Sequence, residues 1–480
     1  MPLILGTNSI KDTGYNVDNS IRFESGDSSY LSKTYSSASN ENKIFTVSTW
    51  VKRSKLGAVD SHQAVISAYR SSDGLQTDVV RFPSDDTFQF YAHTTNSGTN
   101  SQLSTNRVFR DVSAWLHIVV RVDTTQSTAS NRVRIYFNGV QETSFSTETY
   151  PDQNGTVVWG LGSGVSHQIG AVGNSHHYSG YLAETVYLDN QSLDPTSFGE
   201  FDSDSPTVWK PKDVSGLTYG GNSFYLEFKV AGNIGLDTSG NSNNFDGNNL
   251  QQLDQSTDTC TNNFCTLNPL APTADITLSQ GNLKGVYGTS GTRNVQTSTF
   301  GLSSGKWYWE IKIGGSSSPN NAIVGITQLS TDTNTVLGTA DNSWGYRGYD
   351  GKVFHNNADE GGSLNTFTAG DIIGIAINLD NLQGGLHKLY FSKNGTFQNG
   401  ADPTDFTSTT GVFGIDDNVD YFPAIADAGS SATPQFEMNF GSPPYTVSSG
   451  NADGEGFGNF EYAPPSGFFA ICTKNLAEYG

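Results

Sequence analysis

Two stretches of this chain repeat one pattern of apolar and polar positions. In the first, Trp115-Leu-His-Ile-Val-Val-Arg-Val-Asp123 is followed by Ile135-Tyr136-Phe137-Asn138-Gly139. In the second, Asp371-Ile-Ile-Gly-Ile-Ala-Ile-Asn-Leu-Asp380 is followed by Leu389-Tyr390-Phe391-Ser-Lys-Asn394-Gly395. Apolar runs of this length read as strands, and Asn-Gly is the dipeptide best able to take the positive φ angles of a tight hairpin turn. Each copy therefore predicts a strand pair. Upstream of each lies a Trp-bearing strand with alternating positions, Phe45-Thr-Val-Ser-Thr-Trp-Val-Lys-Arg53 and Lys306-Trp-Tyr-Trp-Glu-Ile-Lys-Ile313. The pattern predicts two β-sandwiches of related design.

Between these landmarks, short strand signals recur with turn residues between them, as a sandwich requires. They include Ile21–Glu24, Tyr30–Lys33, Ala64–Tyr69, Val79–Phe82, Thr87–Ala92 and Gly180–Asp189. Residues 1–18 read as an N-terminal arm and 19–200 as the first sandwich. Asp202-Ser-Asp-Ser-Pro206 interrupts the pattern, so 201–274 reads as a bridging segment of strand and loop, packing on one or both sandwiches. Residues 275–480 read as the second sandwich with a C-terminal tail, in which Pro464–Ile471 returns to the fold as a strand.

Composition agrees with an all-β chain. Only 15% of the 480 residues are charged, 12% are aromatic and 53 are Gly. Gly and Asn suit turns, while Ser and Thr suit exposed strand faces. The net charge of −21, from 47 acidic and 26 basic residues, argues against nucleic acid as a partner, because phosphate contacts need clustered Lys and Arg. Three cysteines cannot all pair; Cys260 and Cys265 are close enough in sequence to bridge, but no disulfide framework is indicated, and assembly in a reducing cytoplasm is the default. The start, Met1-Pro-Leu-Ile-Leu-Gly6, lacks the basic and apolar segments of a signal peptide. No run approaches the roughly 20 apolar residues of a membrane span, so a soluble protein without membrane insertion is expected.

The first half resembles a laminin-G-like, concanavalin A-like jelly roll, through Phe45–Val51, Trp115–Val120, Ile135–Gly139 and the closing Gly180-Tyr-Leu-Ala-Glu184. The second half resembles a SPRY domain, itself a bent β-sandwich, through Gly305–Ile311, Val324-Gly-Ile326, Gly370–Asp380, Leu389–Gly395 and Tyr421-Phe-Pro-Ala-Ile425. The order of these units, with Phe198-Gly-Glu-Phe201, Val208–Lys212 and Asp237-Thr-Ser-Gly-Asn241 between them, resembles structural proteins of tailed phages, particularly marine ones. That resemblance implies a virion protein assembled in the host cytoplasm. Its partners would be other virion proteins and a host-surface glycan or receptor. A homo-oligomer is implied, with a trimer the expectation carried by analogy with fibres and not by any heptad here.

The candidate chemistry is sparse. Glu200, Asp202 and Asp204 alternate as carboxylates do on one cleft face of jelly-roll glycan hydrolases, where two carboxyls about 5–5.5 Å apart support a retaining mechanism. The pattern departs at Asp204, where that family has Glu, and Pro206 follows almost at once. No catalytic residue is assigned, and a non-enzymatic protein is expected. His176, His177 and Tyr178 lie between two strands, where binding residues often sit. Trp344, Tyr346 and Tyr349 place three rings among glycines, which suits sugar or protein contact, although Trp344 and Tyr346 read equally as a core strand. Trp307 and Trp309 share one face and read as core.

No cofactor is assigned. Asp-rich stretches offer oxygen ligands for a structural calcium, Asp416, Asp417 and Asp420 being the densest, while Asp237–Asp246 lacks the central Gly and terminal Glu of an EF-hand loop. The expected function is a tail or fibre component that binds host-surface glycan or receptor. The alternatives are a capsid decoration or adaptor protein and, with less support, a polysaccharide depolymerase.

Overall fold

Asn138-Gly139 and Asn394-Gly395 each close a hairpin. Asn138 and Gly139 have φ of 47° and 78°, and Asn394 and Gly395 have 48° and 81°, the pair of positive values a type I′ turn demands. The asparagine side chains repeat one further contact: Asn138 Oδ1 accepts from His117 N, and Asn394 Oδ1 from Ile372 N, each at 2.8 Å. A Cβ on Gly139 would strike the Trp209 ring, and one on Gly395 the Tyr462 ring. Both glycines are therefore required by backbone angle and by packing.

The computed structural model describes residues 14–36, 43–57, 61–70, 76–93, 100–159, 164–271, 275–288, 294–315, 318–329, 335–361, 363–380, 387–429 and 433–480. Most of the expected N-terminal arm lies outside them. The described chain divides into two compact units between Thr261 and Asn262, and among these residues there is one α-helix, Thr473–Tyr479.

The first unit holds β1 (Ser20–Phe23), β2 (Tyr30–Thr34), β3 (Ile44–Arg53), β4 (His62–Arg70), β5 (Gln76–Pro83), β6 (Thr87–His93) and β7 (Asn100–Val108). It continues with β8 (Leu116–Asp123), β9 (Val133–Phe137), β10 (Val140–Gln141), β11 (Phe145–Thr149), β12 (Ser166–Ile169) and β13 (Gly180–Asp189). One sheet runs β10-β9-β8-β3-β13-β1 and ends on Gln255–Ser256; the other runs β11-β7-β6-β5-β4-β12-β2 and ends on Asp246–Asn248. Inward positions of both sheets form one core, with Val47, Ile118, Val120 and Ile135 from the first and Ile66, Val80, Phe82 and Phe90 from the second. Each such side chain contributes roughly 1.5–3 kcal/mol by leaving water.

A β-bulge between Ala183 and Val186 bends β13. Glu184 sits there at φ 50°, so the first half of β13 pairs with β1 and the second half with Phe224–Leu226. The segment expected to bridge the sandwiches has no separate body. Its strands Phe224–Leu226, Asp246–Asn248 and Gln255–Ser256 extend the sheets of the first unit, while Cys265 N donates to Ile471 O within the second. All three cysteines are free.

The second unit stacks a nine-stranded sheet and a six-stranded sheet. Lys306–Gly314 pairs with Ile372–Asn378, which pairs with His387–Lys393. Trp307 and Trp309 both face the core, and Tyr308 packs on the opposite face against Phe460. The returning C-terminal segment supplies only Phe469–Ala470, parallel to Lys306–Gly314, before the short helix.

Candidate functional site

The outward face of the second sheet of the first unit carries the candidate site. Along β5 the side chains alternate, Val80 and Phe82 inward and Thr77, Val79 and Arg81 outward, as the period of a strand dictates. Register then sets the neighbours: Tyr69 lies opposite Thr77, Val79 opposite Tyr91, and Arg81 opposite Gln89. The floor of the site is a small apolar patch of Ala64, Val79 and Val172, with Tyr69 and Tyr91 packed against it.

The loop from β12 to β13 forms the wall. Val172 and Ser175 exchange both backbone hydrogen bonds at 3.0 and 3.1 Å, around Gly173 and Asn174, each at φ 60°. This second kind of I′ turn brings Gly173 against the Tyr69 ring, where an added Cβ would stand 3.2 Å from ring carbons. His176, at φ 53°, accepts the Ala64 N–H on its carbonyl at 2.9 Å. Its imidazole stacks on His62, with centroids 3.9 Å apart and planes at 23°.

The resulting cleft has a volume of about 490 Å³ and is lined by His62, Tyr69, Thr77, Arg81, Tyr91, Val172, Gly173, Ser175 and His176. Arg81 is fixed in place. Its Nε donates to Gln89 Oε1 at 2.6 Å, its Nη1 lies 3.1 Å from His62 Nε2, and its guanidinium stands 5.4 Å from the Tyr91 centroid. Burial, then the charge of Arg81 and His176, pushes His62 down to about 3. A neutral imidazole can accept from Arg81 at Nε2 while its Nδ1 pairs with Ser61 Oγ at 2.9 Å. Burial lowers Arg81 from its ordinary value, but a guanidinium stays charged in proteins.

A second cleft of about 220 Å³ includes Arg53, Arg107 and Arg110. There Asp86 answers two of the arginines, at 3.1 Å from Arg53 and 2.9 Å from Arg110.

Of the sequence candidates, His176 joins the main cleft. His177 is buried beside Tyr30, with ring centroids 5.7 Å apart. Tyr178 corrects the expectation of a loop contact: it is 0% exposed and donates to Lys52 O at 3.1 Å, because β13 begins two residues later and draws it into the core. Trp344 and Tyr346 are 1% and 0% exposed within the strand Ser343–Arg347. Of their two readings, the core strand is the one the fold adopts. Trp344 stacks on His355, and Tyr346 donates to Asn365 O and accepts from Gln398 Nε2. Only Tyr349 is open, 44% exposed and capped by Arg347.

Among the described residues, no group of three or more His, Cys, Asp or Glu side chains is arranged to hold a metal ion. Asp416 instead accepts from Gln328 Nε2 and, on its carbonyl, from Tyr421 Oη. In the Glu200–Asp204 segment, Lys210 stands 3.1 Å from Asp202 and 3.9 Å from Glu200. Asp202 Oδ1 also accepts the N–H groups of Asp204 and Ser205. The Lys210 contact and these turn bonds hold Asp202 below the usual carboxylate range, the opposite of what a general acid needs.

Tyr69, Tyr91, Arg81 and His62 were not singled out by sequence. Their only signal is an outward polar or aromatic residue at alternate strand positions, which any solvated sheet face shares.

The class defined by this architecture is an all-β protein of two concanavalin A-like sandwiches. More particularly, residues 25–190 match the family model of the concanavalin A-like lectin/glucanases superfamily, and residues 306–425 match the SPRY domain. Among solved structures, the SPRY domain of human HERC1 is 22% identical, with 32% of this chain and 87% of that chain covered and a TM-score of 0.26. A human SPRY domain structure is 20% identical over 34% of this chain and 94% of that one, also at 0.26. The TRIM65 PSpry domain is 14% identical over 36% and 91%, again at 0.26.

Proposed function

We propose that the protein is a non-enzymatic binding protein that holds a surface glycan in the cleft over β4, β5 and β6. The observation that carries this reading is the pairing of two half-buried tyrosines with a fixed guanidinium in a cleft of about 490 Å³. Sugar rings present apolar faces that pack on aromatics, and their hydroxyls need a small number of placed polar groups. The setting we propose is the virion of a tailed phage, with the chain in a tail or fibre and the glycan on the host surface. The resemblance in the order of units supports that setting. Retention of the purified chain on host cells and on a glycan array tests the binding, and labelling of intact virions tests the location.

A second reading, an adaptor or decoration protein, draws on a different surface. Val140 is 60% exposed and Phe201 45%. Phe201 packs edge-on against Trp209, the ring that also covers Gly139. An open phenyl ring thus lies against this indole, and the exposed Val140 follows Gly139 in the chain. If neither cells nor glycans retain the chain while it co-assembles with capsid or tail proteins, the adaptor reading replaces the first.

A further inference from the structure

We infer that the cleft selects an anionic glycan, one whose sugars carry a carboxylate or a sulfate ester, and that Arg81 is the residue that receives that group. This deepens the function proposed above and rests on it. The chain as a whole carries a net charge of −21, yet none of the described residues lining this cleft is acidic. In the smaller cleft a carboxylate answers two of the arginines, Asp86 standing beside Arg53 and Arg110. Here the described partners of Arg81 are neutral: Gln89 Oε1, the imidazole of His62 and the face of Tyr91.

These partners orient the guanidinium without neutralising it. Gln89 is itself held, donating from Nε2 to Ser104 Oγ at 2.8 Å, so the Nε edge is fixed by a two-step chain. Among the described residues, Nη2 of Arg81 has no protein acceptor. A half-buried cation with an unspent donor group matches the planar, charge-assisted pairing that arginine makes with carboxylate and sulfate oxygens. Tyr69 and Tyr91, on the neighbouring strands, supply the ring faces for the rest of the sugar.

The test uses the full chain and three immobilised polysaccharides: polygalacturonate for the carboxylate, carrageenan for the sulfate ester, and laminarin as a neutral polymer. Retention on at least one acidic polymer should exceed that on laminarin by about tenfold or more, and should fall between roughly 50 and 500 mM NaCl as the charges are screened. The preferred acidic polymer identifies the group. Arg81→Gln should abolish the preference. Because that change also touches Gln89 and His62, Ser175→Asp is a second variant: it adds a carboxylate to the exposed rim and should weaken acidic binding without weakening neutral binding. Lys229→Ala, an exposed cation outside the cleft, should change nothing. Equal retention on all three polymers, or an acidic preference that survives both Arg81→Gln and Ser175→Asp, overturns the inference and leaves glycan binding standing. Failure of every glycan and of host cells to retain the chain overturns both.

Discussion

The imidazoles of His62 and His176 stack 3.9 Å apart, one from the start of β4 and the other from the loop leading into β13. Residues 114 positions apart thereby form one wall of the cleft, and the stack fixes how His62 meets Arg81. His62 is thus expected to remain neutral well into acid. Its ring signals in NMR should not titrate between pH 5 and 8, since burial and Arg81 push it down to about 3. A midpoint near 6 would show that Arg81 does not stand against it.

Tyr91→Ala and Tyr69→Ala should each weaken glycan or cell retention by about tenfold or more, in line with the loss of an aromatic anchor. Both rings are half-buried on an outward sheet face, so the unfolding midpoint should move by only a few degrees. Retention at wild-type levels in both variants would place the ligand elsewhere.

Gly173→Ala tests the wall rather than the floor. At φ 60° with a Tyr69 ring carbon 3.2 Å from the added Cβ, the substitution should cost about 1 kcal/mol of stability and displace Tyr69. Urea unfolding reads the first effect and glycan retention the second.

Two buried histidines make stability depend on pH. Burial pushes His117 and His167 down to about 3 from an ordinary 6.5. The unfolded chain therefore binds protons that the folded chain does not, and the stability from each is present above about pH 6.5 and lost as pH falls toward 3. By pH 4 this amounts to a few kcal/mol for each, on the order of the free energy of two pKa units. Asp78 and Glu184, raised to about 7 by burial, act in the opposite sense: their contribution is present at low pH and lost as pH rises through 7. The histidine part is isolated by His117→Gln, whose deficit relative to wild type should shrink as pH falls from 7 to 4. A deficit constant with pH would refute it.

In the second unit, Tyr346→Phe should cost about 1–3 kcal/mol by stranding Gln398 Nε2 and Asn365 O. Tyr349→Ala should stay within about 0.5 kcal/mol, as an exposed side chain does. Equilibrium unfolding separates the two, and equal effects would contradict the burial difference.

The strand framework was legible because it rests on local signals. Asn138-Gly139 and Asn394-Gly395 announce their turns through backbone angles that few other dipeptides adopt, and Trp307 and Trp309 announce a core face by parity. The polar strands β7, β11 and β12 carry no such signal. Their Ser, Thr, Asn and Gln positions look like loop, yet β12 pairs on both sides, with β4 and β2. Within the bridging segment the same holds: Asp246–Asn248 becomes a strand only because the edge of β2 is there to pair with it.

By itself the sequence determined an all-β chain, two sandwiches of concanavalin A-like and SPRY type, two type I′ hairpins and a negative net charge. Each follows from residue identity and spacing within a few positions. Only the tertiary structure decided the cleft. Arg81, Tyr69, Tyr91 and His176 lie on three strands and a loop, and strand register and the Val172–Ser175 turn bring them together. It also moved Tyr178 from the expected loop surface into the core and decided for the core between the two readings of Trp344 and Tyr346, because whether an aromatic ring faces ligand or core depends on which sheet covers it.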